Sequence, residues 1–289
     1  MNNNKRKSME ILELEKVATQ VRRDIIRMTS AAGSGHPGGS MSSTEVLVAL
    51  FFEVMQYDID NITRAAKGED LFYLSNGHIS PVLYSVMARR GFFPVAELAT
   101  LRQYGSRLQG HPTPESGLPG IRIATGSLGQ GISVAVGHAA AKKMDGDRGV
   151  VFVNTGDGEL QEGQVWEAVQ FAAARKIDNV VVIVDWNNQQ IDGTCEEVMN
   201  LLDLRAKFEA FGCAVLEIEG NDMAKTIEGL RQAKEEIAGQ GKPVVVLARN
   251  IMGKGVDFME DTNEYHGKVT SAEQTAQALS QLEETLGDY

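Results

Sequence analysis

The stretch "NTGDGELQEG", Asn154 to Gly163, follows an apolar run, "GVVFV", that reads as a buried strand. Its carboxylate, Asp157, sits between two glycines, and two more acids, Glu159 and Glu162, follow closely. Thirty positions after Asp157 comes Asn187, just past a second apolar run, "NVVVIVDW". One carboxylate, one side-chain amide oxygen and a nearby backbone carbonyl form a hard, oxygen-only ligand set with one negative charge. Mg2+ prefers six oxygens at ~2.1 Å and usually keeps water or phosphate oxygens among them. Three protein ligands leave room for a diphosphate. Gly156 and Gly158 let the backbone approach such a group closely, and a helix starting near Glu162 can aim its N-terminus at the anion. Taken singly, "GDG" and "DWNN" are ordinary turns. The pair, placed across one βαβ unit, is what points to a bound cation.

Those turns need a scaffold that brings them together. From residue 149 the chain alternates strands and helices: "GVVFVNT", "EGQVWEAVQFAAARK", "NVVVIVDW", "NLLDLRAKFEAFG", "CAVLEIE", "DMAKTIEGLRQAKEEIA" and "PVVVLAR". Strands rich in Val and Ile between helices predict a parallel sheet covered on both faces. Ligands of such sheets sit at the carboxyl ends of strands, near a switch in strand order. A right-handed crossover places the ends carrying Asp157 and Asn187 side by side, or nearly so. Before residue 149, apolar spacing predicts a helix over 10–29, then a glycine-rich loop, "AAGSGHPGGS". "SSTEVLVALFFEVM" reads as a helix capped by a Ser or Thr ahead of Glu45. A strand over 70–75, a helix ending at Gly91 and a loop over 101–126 follow. "GQGISVAVGHAAAKKM" is a helix of small residues, which close packing explains, and "SAEQTAQALSQLEETLG" is a last helix.

The 289 residues, 43% hydrophobic, suffice for a sizeable core. The charge of −11 comes without a basic block, which disfavours nucleic acid as a partner. Cys195 and Cys213 form neither a metal-ligand spacing nor a disulfide framework, which suits a reducing cytosol. The polar start, "MNNNKRKSMEILELEK", has no apolar core of the secretory kind. No uncharged apolar run approaches the ~18 residues of a membrane span. A cytoplasmic location is expected.

"GDGELQEG…VDWNNQQIDG" resembles the thiamin diphosphate motif, and the chain as a whole resembles the N-terminal portion of transketolase. The resemblance rests on "SGHPGGSMS", "YLSNGHISPVLY", "LQGHP", "TGSLGQGISVAVGHA", the GDG–Asn pair and "MGKGVDFMEDTNEYHGK", in that order. It implies a three-layer α/β/α fold of the thiamin diphosphate-binding kind, with residues 1–289 as a single diphosphate-binding domain. It implies Mg2+ bound by Asp157, Asn187 and the backbone carbonyl of Gln189, with Ca2+ or Mn2+ as substitutes. Gly158 and His78 would meet the diphosphate. Gly126, Leu128 and Ile191 would pack around the cofactor's rings. His36, His111 and His266 would line the substrate channel, His266 also reaching the cofactor, and grip a sugar's hydroxyls and carbonyl near neutral pH. Glu162 resembles the family glutamate that couples two active sites at a subunit contact; as an acid at a helix start it also suits the macrodipole. His138, inside a helix, has no assigned role. Trp186 departs from the polar or acidic residue of many relatives, and Asn188 stands beside Asn187 as an alternative ligand.

The resemblance stops at Tyr289. A full transketolase continues into a pyrimidine-binding domain, which carries the glutamate that activates the cofactor, and a C-terminal domain. The expectation is therefore one subunit of a split transketolase. A second subunit would supply both missing domains in an α2β2 heterotetramer acting on sugar phosphates, in the chemistry of the pentose phosphate pathway. A piece of a longer chain is the alternative. Two other readings stay open: a thiamin enzyme of the deoxyxylulose-phosphate-synthase type or for an unusual sugar, and a non-catalytic orphan module. A dinucleotide-binding dehydrogenase is disfavoured, because no G-x-G-x-x-G follows a strand.

Overall fold

A computed structural model describes residues 8–63 and 66–289; the first seven residues of the polar start lie outside them. α1 spans Ile11–Ala32, with Glu10 and Glu13 forming a reciprocal capping box and Gly33 turning the chain out in the left-handed region. α2 (Pro37–Ser42) and α3 (Thr44–Ala49) follow, then β1 (Leu71–Leu74), α4 (Ser80–Arg90) and α5 (Gln130–Met144). β2 (Val151–Gly156), α6 (Gly163–Ala174) and β3 (Val180–Trp186) form the expected βαβ unit. A two-residue ribbon, β4 (Gln189–Gln190) with β5 (Gly193–Thr194), leads into α7 (Cys195–Met199) and α8 (Leu204–Ala210). β6 (Ala214–Glu219), α9 (Met223–Arg231), β7 (Val244–Arg249) and α10 (Ala272–Gln281) complete the order.

The five long strands form one parallel sheet in the order β1-β2-β3-β7-β6. Successive side chains of a strand point to opposite faces, and the core divides accordingly. Phe152, Val181, Ile183, Val244 and Val246 pack on the side of α1, α3, α4 and α9. Val151, Val153, Val182, Val184, Val245 and Leu247 pack on the side of α5, α6 and α8. This is the three-layer α/β/α arrangement expected from the Val-rich runs. β2 and β3 are direct neighbours, with Gly156 level with Asp185, so the turns carrying Asp157 and Asn187 emerge side by side. No helix among the described residues is long and apolar enough to cross a membrane.

Several boundaries differ from the sequence reading. The glycine-rich loop is helical from Pro37, whose fixed φ suits a first helical position. Ser43 does not cap α3: its hydroxyl, like that of Ser42, donates to Asp185, 142 or more positions away. The helix expected to run to Met55 ends as a π-turn over Leu50–Val54. Residues 200–203 are not helical, because Asp203 caps α8 by accepting from the amide of Ala206. The last helix stops at Gln281, and the segment beyond it is tied to α1 instead. Close packing accounts for Gly131, where a Cβ would strike Ser75, but not for Gly137, which faces open space.

Candidate active site

The strand ends β2 and β3 present a polar group at nearly every position. The Asp157 amide donates to the Asp185 carbonyl at 3.2 Å, which joins the two turns. The Asp157 carboxylate is buried and accepts from the amides of Gly158 (2.7 Å) and Asn188 (2.5 Å). Burial, and next the charge of Asp185, push its pKa up to about 7. Asn187 donates through Nδ2 to Ser42 Oγ (3.2 Å) and Asp185 Oδ2 (3.1 Å), while its Oδ1 accepts from the Gln189 amide at 2.9 Å. That orientation is set by Asp185, which also accepts from Ser42 Oγ (2.6 Å), Ser43 Oγ (3.0 Å) and Asn250 Nδ2 (2.6 Å). Burial raises the pKa of Asp185 as well. Glu159 is a third buried acid. It accepts from Ser75 Oγ (2.5 Å), the Gly129 amide (2.8 Å) and the Gly156 amide (3.1 Å), tying the ends of β1 and β2 to the start of α5.

These groups border a cleft of about 470 Å3. All the residues singled out from the sequence line it: His36, His78, His111, His266, Gly126, Leu128, Asp157, Gly158, Glu162, Asn187, Gln189 and Ile191. The rings of His36, His78 and His266 cluster, with centroids 5.0 Å, 5.8 Å and 5.2 Å apart. Burial lowers the pKa of His36 to about 4 and of His78 to about 3, and it also lowers those of His111 and His266. All four are neutral imidazoles at pH 7, each able to donate through one nitrogen and accept through the other. Nδ1 of His36 and Nδ1 of His266 are buried without a partner among the described residues, as is Nε2 of Gln190 on the same wall. Gly126 (φ +130°) lies against His111, where a Cβ would come within 2.6 Å of the ring. Ile191 stands 62% exposed at the rim.

The neighbours left open by the sequence are also placed. Asn187 lines the cleft, whereas Asn188 occupies the left-handed region (φ 60°) that Asn tolerates. Trp186 packs on the α8 side of the sheet with the Arg249 guanidinium 4.0 Å over its ring, away from the cleft. His138 shares a hydrogen bond through Nδ1 with the Tyr73 hydroxyl (2.5 Å) and takes no part in the cleft. The sequence reading gave no role to Asn76, Glu159, Asp185 or Gln190. Only Asp185 carries a signal, a polar residue breaking the apolar run "VVIVDW".

No group of three or more His, Cys, Asp and Glu side chains among the described residues is placed to hold a metal. The set at the turn is of another kind: one carboxylate, the Asn187 amide oxygen and backbone carbonyls. It suits a hard cation that keeps phosphate or water oxygens. Asp157 and Asp185 lie close together without a basic partner among the described ion pairs, an arrangement that a divalent cation would neutralise.

A parallel sheet with a polar cleft at the carboxyl ends of its central strands defines an α/β protein of the kind that binds its ligand at a switch in strand order. Residues 14–285 match the family described as "Transketolase, thiamine diphosphate binding domain", and the chain belongs to that family. It is 38% identical over 276 residues to the 6-deoxy-6-sulfo-D-fructose transketolase subunit SqwG of a Clostridium species, covering 96% of this chain and 98% of that one. It is 37% identical over 273 residues to an apulose-4-phosphate transketolase subunit from Actinobacillus succinogenes, covering 94% and 96%. The crystal structure of transketolase from Campylobacter jejuni superposes with a TM-score of 0.86 at 33% identity, over 95% of this chain. The match covers only 43% of that transketolase chain.

Proposed function

We propose that this chain is the diphosphate-binding subunit of a split transketolase, forming one domain over residues 1–289. With a second subunit that carries the pyrimidine and C-terminal domains, it transfers a two-carbon ketol unit from a ketose phosphate to an aldose phosphate. The observation that carries this reading is the gathering of Asp157, Asn187, Gln189 and four neutral histidines on one cleft at the ends of β2 and β3. The coverage figures support the division into subunits, since the chain spans nearly all of two relatives named as subunits and under half of a single-chain transketolase.

In this reading Asp157, Asn187 and the Gln189 carbonyl hold Mg2+, with Gly158 and His78 against the diphosphate. Thiamin diphosphate, when bound, supplies the electron sink for breaking a carbon–carbon bond beside a carbonyl. The chain's own part is to hold and orient. Gly126, Leu128 and Ile191 pack against the cofactor's rings. His36, His111 and His266 hydrogen-bond the sugar's hydroxyls and carbonyl and move protons there as neutral bases or donors. Glu162, exposed at the start of α6 and against Gly129, faces a partner subunit in an α2β2 assembly. Two free, buried cysteines fit a cytoplasmic setting.

The donor and acceptor sugars of this enzyme are unusual ones, in a reading that rests on the names of the two subunit relatives. Ordinary pentose phosphate chemistry is the second reading, supported by the similarity to the Campylobacter transketolase. The test is calorimetric titration of thiamin diphosphate with Mg2+ into the chain, alone and mixed with its complementary subunit, followed by a ketol-transfer assay over a sugar panel. Tight binding and turnover in the mixture support the assignment. Absence of binding in both samples overturns it.

A further inference from the structure

We infer that Asn76, held by Asn154, is a further cofactor-binding residue that donates its amide to the diphosphate. The inference rests on the function proposed above and adds a residue to that site.

Asn154 sits in β2 among Val151, Phe152 and Val153, and it is 0% exposed. A buried amide in an apolar strand is unfavourable unless both its ends are hydrogen-bonded. Here one end is satisfied: Nδ2 donates to Asn76 Oδ1 at 3.1 Å. The other, Oδ1, is buried and unpartnered among the described residues. Packing does not ask for such a residue, since a valine would serve the strand better. The pair has a clear effect on Asn76, however. With Asn76 Oδ1 engaged from behind, its Nδ2 turns toward the glycine turn, 3.8 Å from where a side chain on Gly156 would begin. Asn76 is only 2% exposed, lines the cleft, and its Nδ2 has no acceptor among the described residues. It is an unpaired donor on the cleft wall, held ready for something that is not protein.

The surroundings define the chemistry of that partner. Among the described residues no lysine or arginine lines the cleft, and its four histidines are neutral at pH 7. An anion here must be held by neutral donors and by whatever cation Asp157 binds. Asn76 stands beside Gly156, immediately before Asp157, and two positions before His78. It therefore meets the phosphate end of a ligand rather than a ring or a sugar.

The test titrates thiamin diphosphate and thiamin monophosphate, each with saturating Mg2+, into the full chain and its variants, and records the melting temperature without ligand. Asn76→Ala should weaken thiamin diphosphate about tenfold to a hundredfold, the size of one hydrogen bond to a charged group. It should weaken thiamin monophosphate less, and it should lower the melting temperature, because Asn154 Nδ2 loses its partner. Asn154→Val should weaken the diphosphate in the same direction while holding or raising the melting temperature, a split that a merely structural asparagine would not give. Normal binding by both variants, beside a wild type that binds, overturns the role of Asn76 and leaves the proposed function standing. A wild type that binds neither ligand, alone or with its complementary subunit, overturns the function and this inference together. If Asn76→Ala unfolds, Asn154→Val decides the matter by the same two readouts.

Discussion

Two regions of the molecule hold acids away from solvent, and they treat them in opposite ways. On the α1 side the acids meet arginines. Asp24 takes the Arg89 guanidinium at 2.8 Å, Glu45 takes Arg22 at 2.6 Å, and Asp288 takes Arg23 at 2.7 Å. The Arg23 hydrogen bond holds Asp288 down at about 2. At the carboxyl ends of β2 and β3, Asp157, Glu159 and Asp185 are deeply buried, yet they meet only hydroxyls, amides and a thiol, and burial pushes their pKa values up. A fold that can neutralise its buried acids does so with its own cations. Where it leaves them to neutral donors, stability is held below what the same atoms allow, the mark of a site kept for a ligand.

The largest effect that could break this comparison is on the paired side. Arg89→Ala strands a fully buried Asp24 and should cost about 3–5 kcal/mol of unfolding free energy in urea. A loss below about 1 kcal/mol would mean that the pairing is ornamental. Asp157→Ala should show the reverse pattern. Unfolding free energy should fall by far less than for Arg89→Ala, while Mg2+-dependent affinity for thiamin diphosphate drops roughly a hundredfold or more, read by the same titration. Full affinity at limiting Mg2+ would remove Asp157 from the metal site. His111→Ala sharpens the division within the cleft. It should leave cofactor affinity intact and lower turnover of the assembled enzyme about a hundredfold or more; loss of the cofactor instead would move His111 out of the substrate channel.

The pH dependence separates the histidines from the acids. The folded pKa values of His36 (about 4) and His78 (about 3) lie below the usual 6.5, so the unfolded chain binds protons that the folded chain refuses. Stability from this source falls as pH drops from about 6.5 toward 4. Asp157, raised to about 7 from the usual 3.8, acts in the opposite sense over that range. Melting curves of the wild type and a His36→Gln/His78→Gln variant cancel the acid contribution. The wild type should lose stability more steeply on acidification, and equal slopes would contradict the buried, neutral histidines. The smallest effect is expected at Arg249, a cation at the same strand ends but on the surface. Arg249→Ala removes its contact with Trp186 and should cost roughly 0.5–1 kcal/mol in urea, with no change in cofactor affinity.

The sheet was legible because parallel strands are buried on both faces and read as continuous runs such as "NVVVIVDW". The placement of Asp157 beside Asn187 followed from the one-helix crossover between adjacent strands. Bringing the four histidines to one cleft needed the family resemblance, since nothing in their spacing says that residues 36, 78, 111 and 266 meet. What stayed hidden depends on partners remote in sequence. Ser42 and Ser43 look like helix caps, and only the fold reveals that Asp185 takes their hydroxyls. Asn76 and Asn154 are 78 positions apart, and each alone passes for a turn residue or a tolerated polar one. Helix ends were misjudged where a π-turn at Leu50–Val54 or a cap at Asp203 overrode the apolar periodicity.

The cleft's lack of cationic side chains among the described residues has a consequence for how fast a ligand arrives. A diphosphate approaching a protein of net charge −11 meets a repulsive long-range field, with Arg102, whose charge reaches His36 and His111, as a local counterweight, so its encounter is slower than at a basic phosphate site. Added salt screens the repulsion and quickens association, the reverse of what a basic phosphate site would do. Where the diphosphate arrives already paired with a cation, much of its charge is cancelled and that repulsion shrinks, so metal added to the buffer should speed loading of the cofactor as well as deepen it.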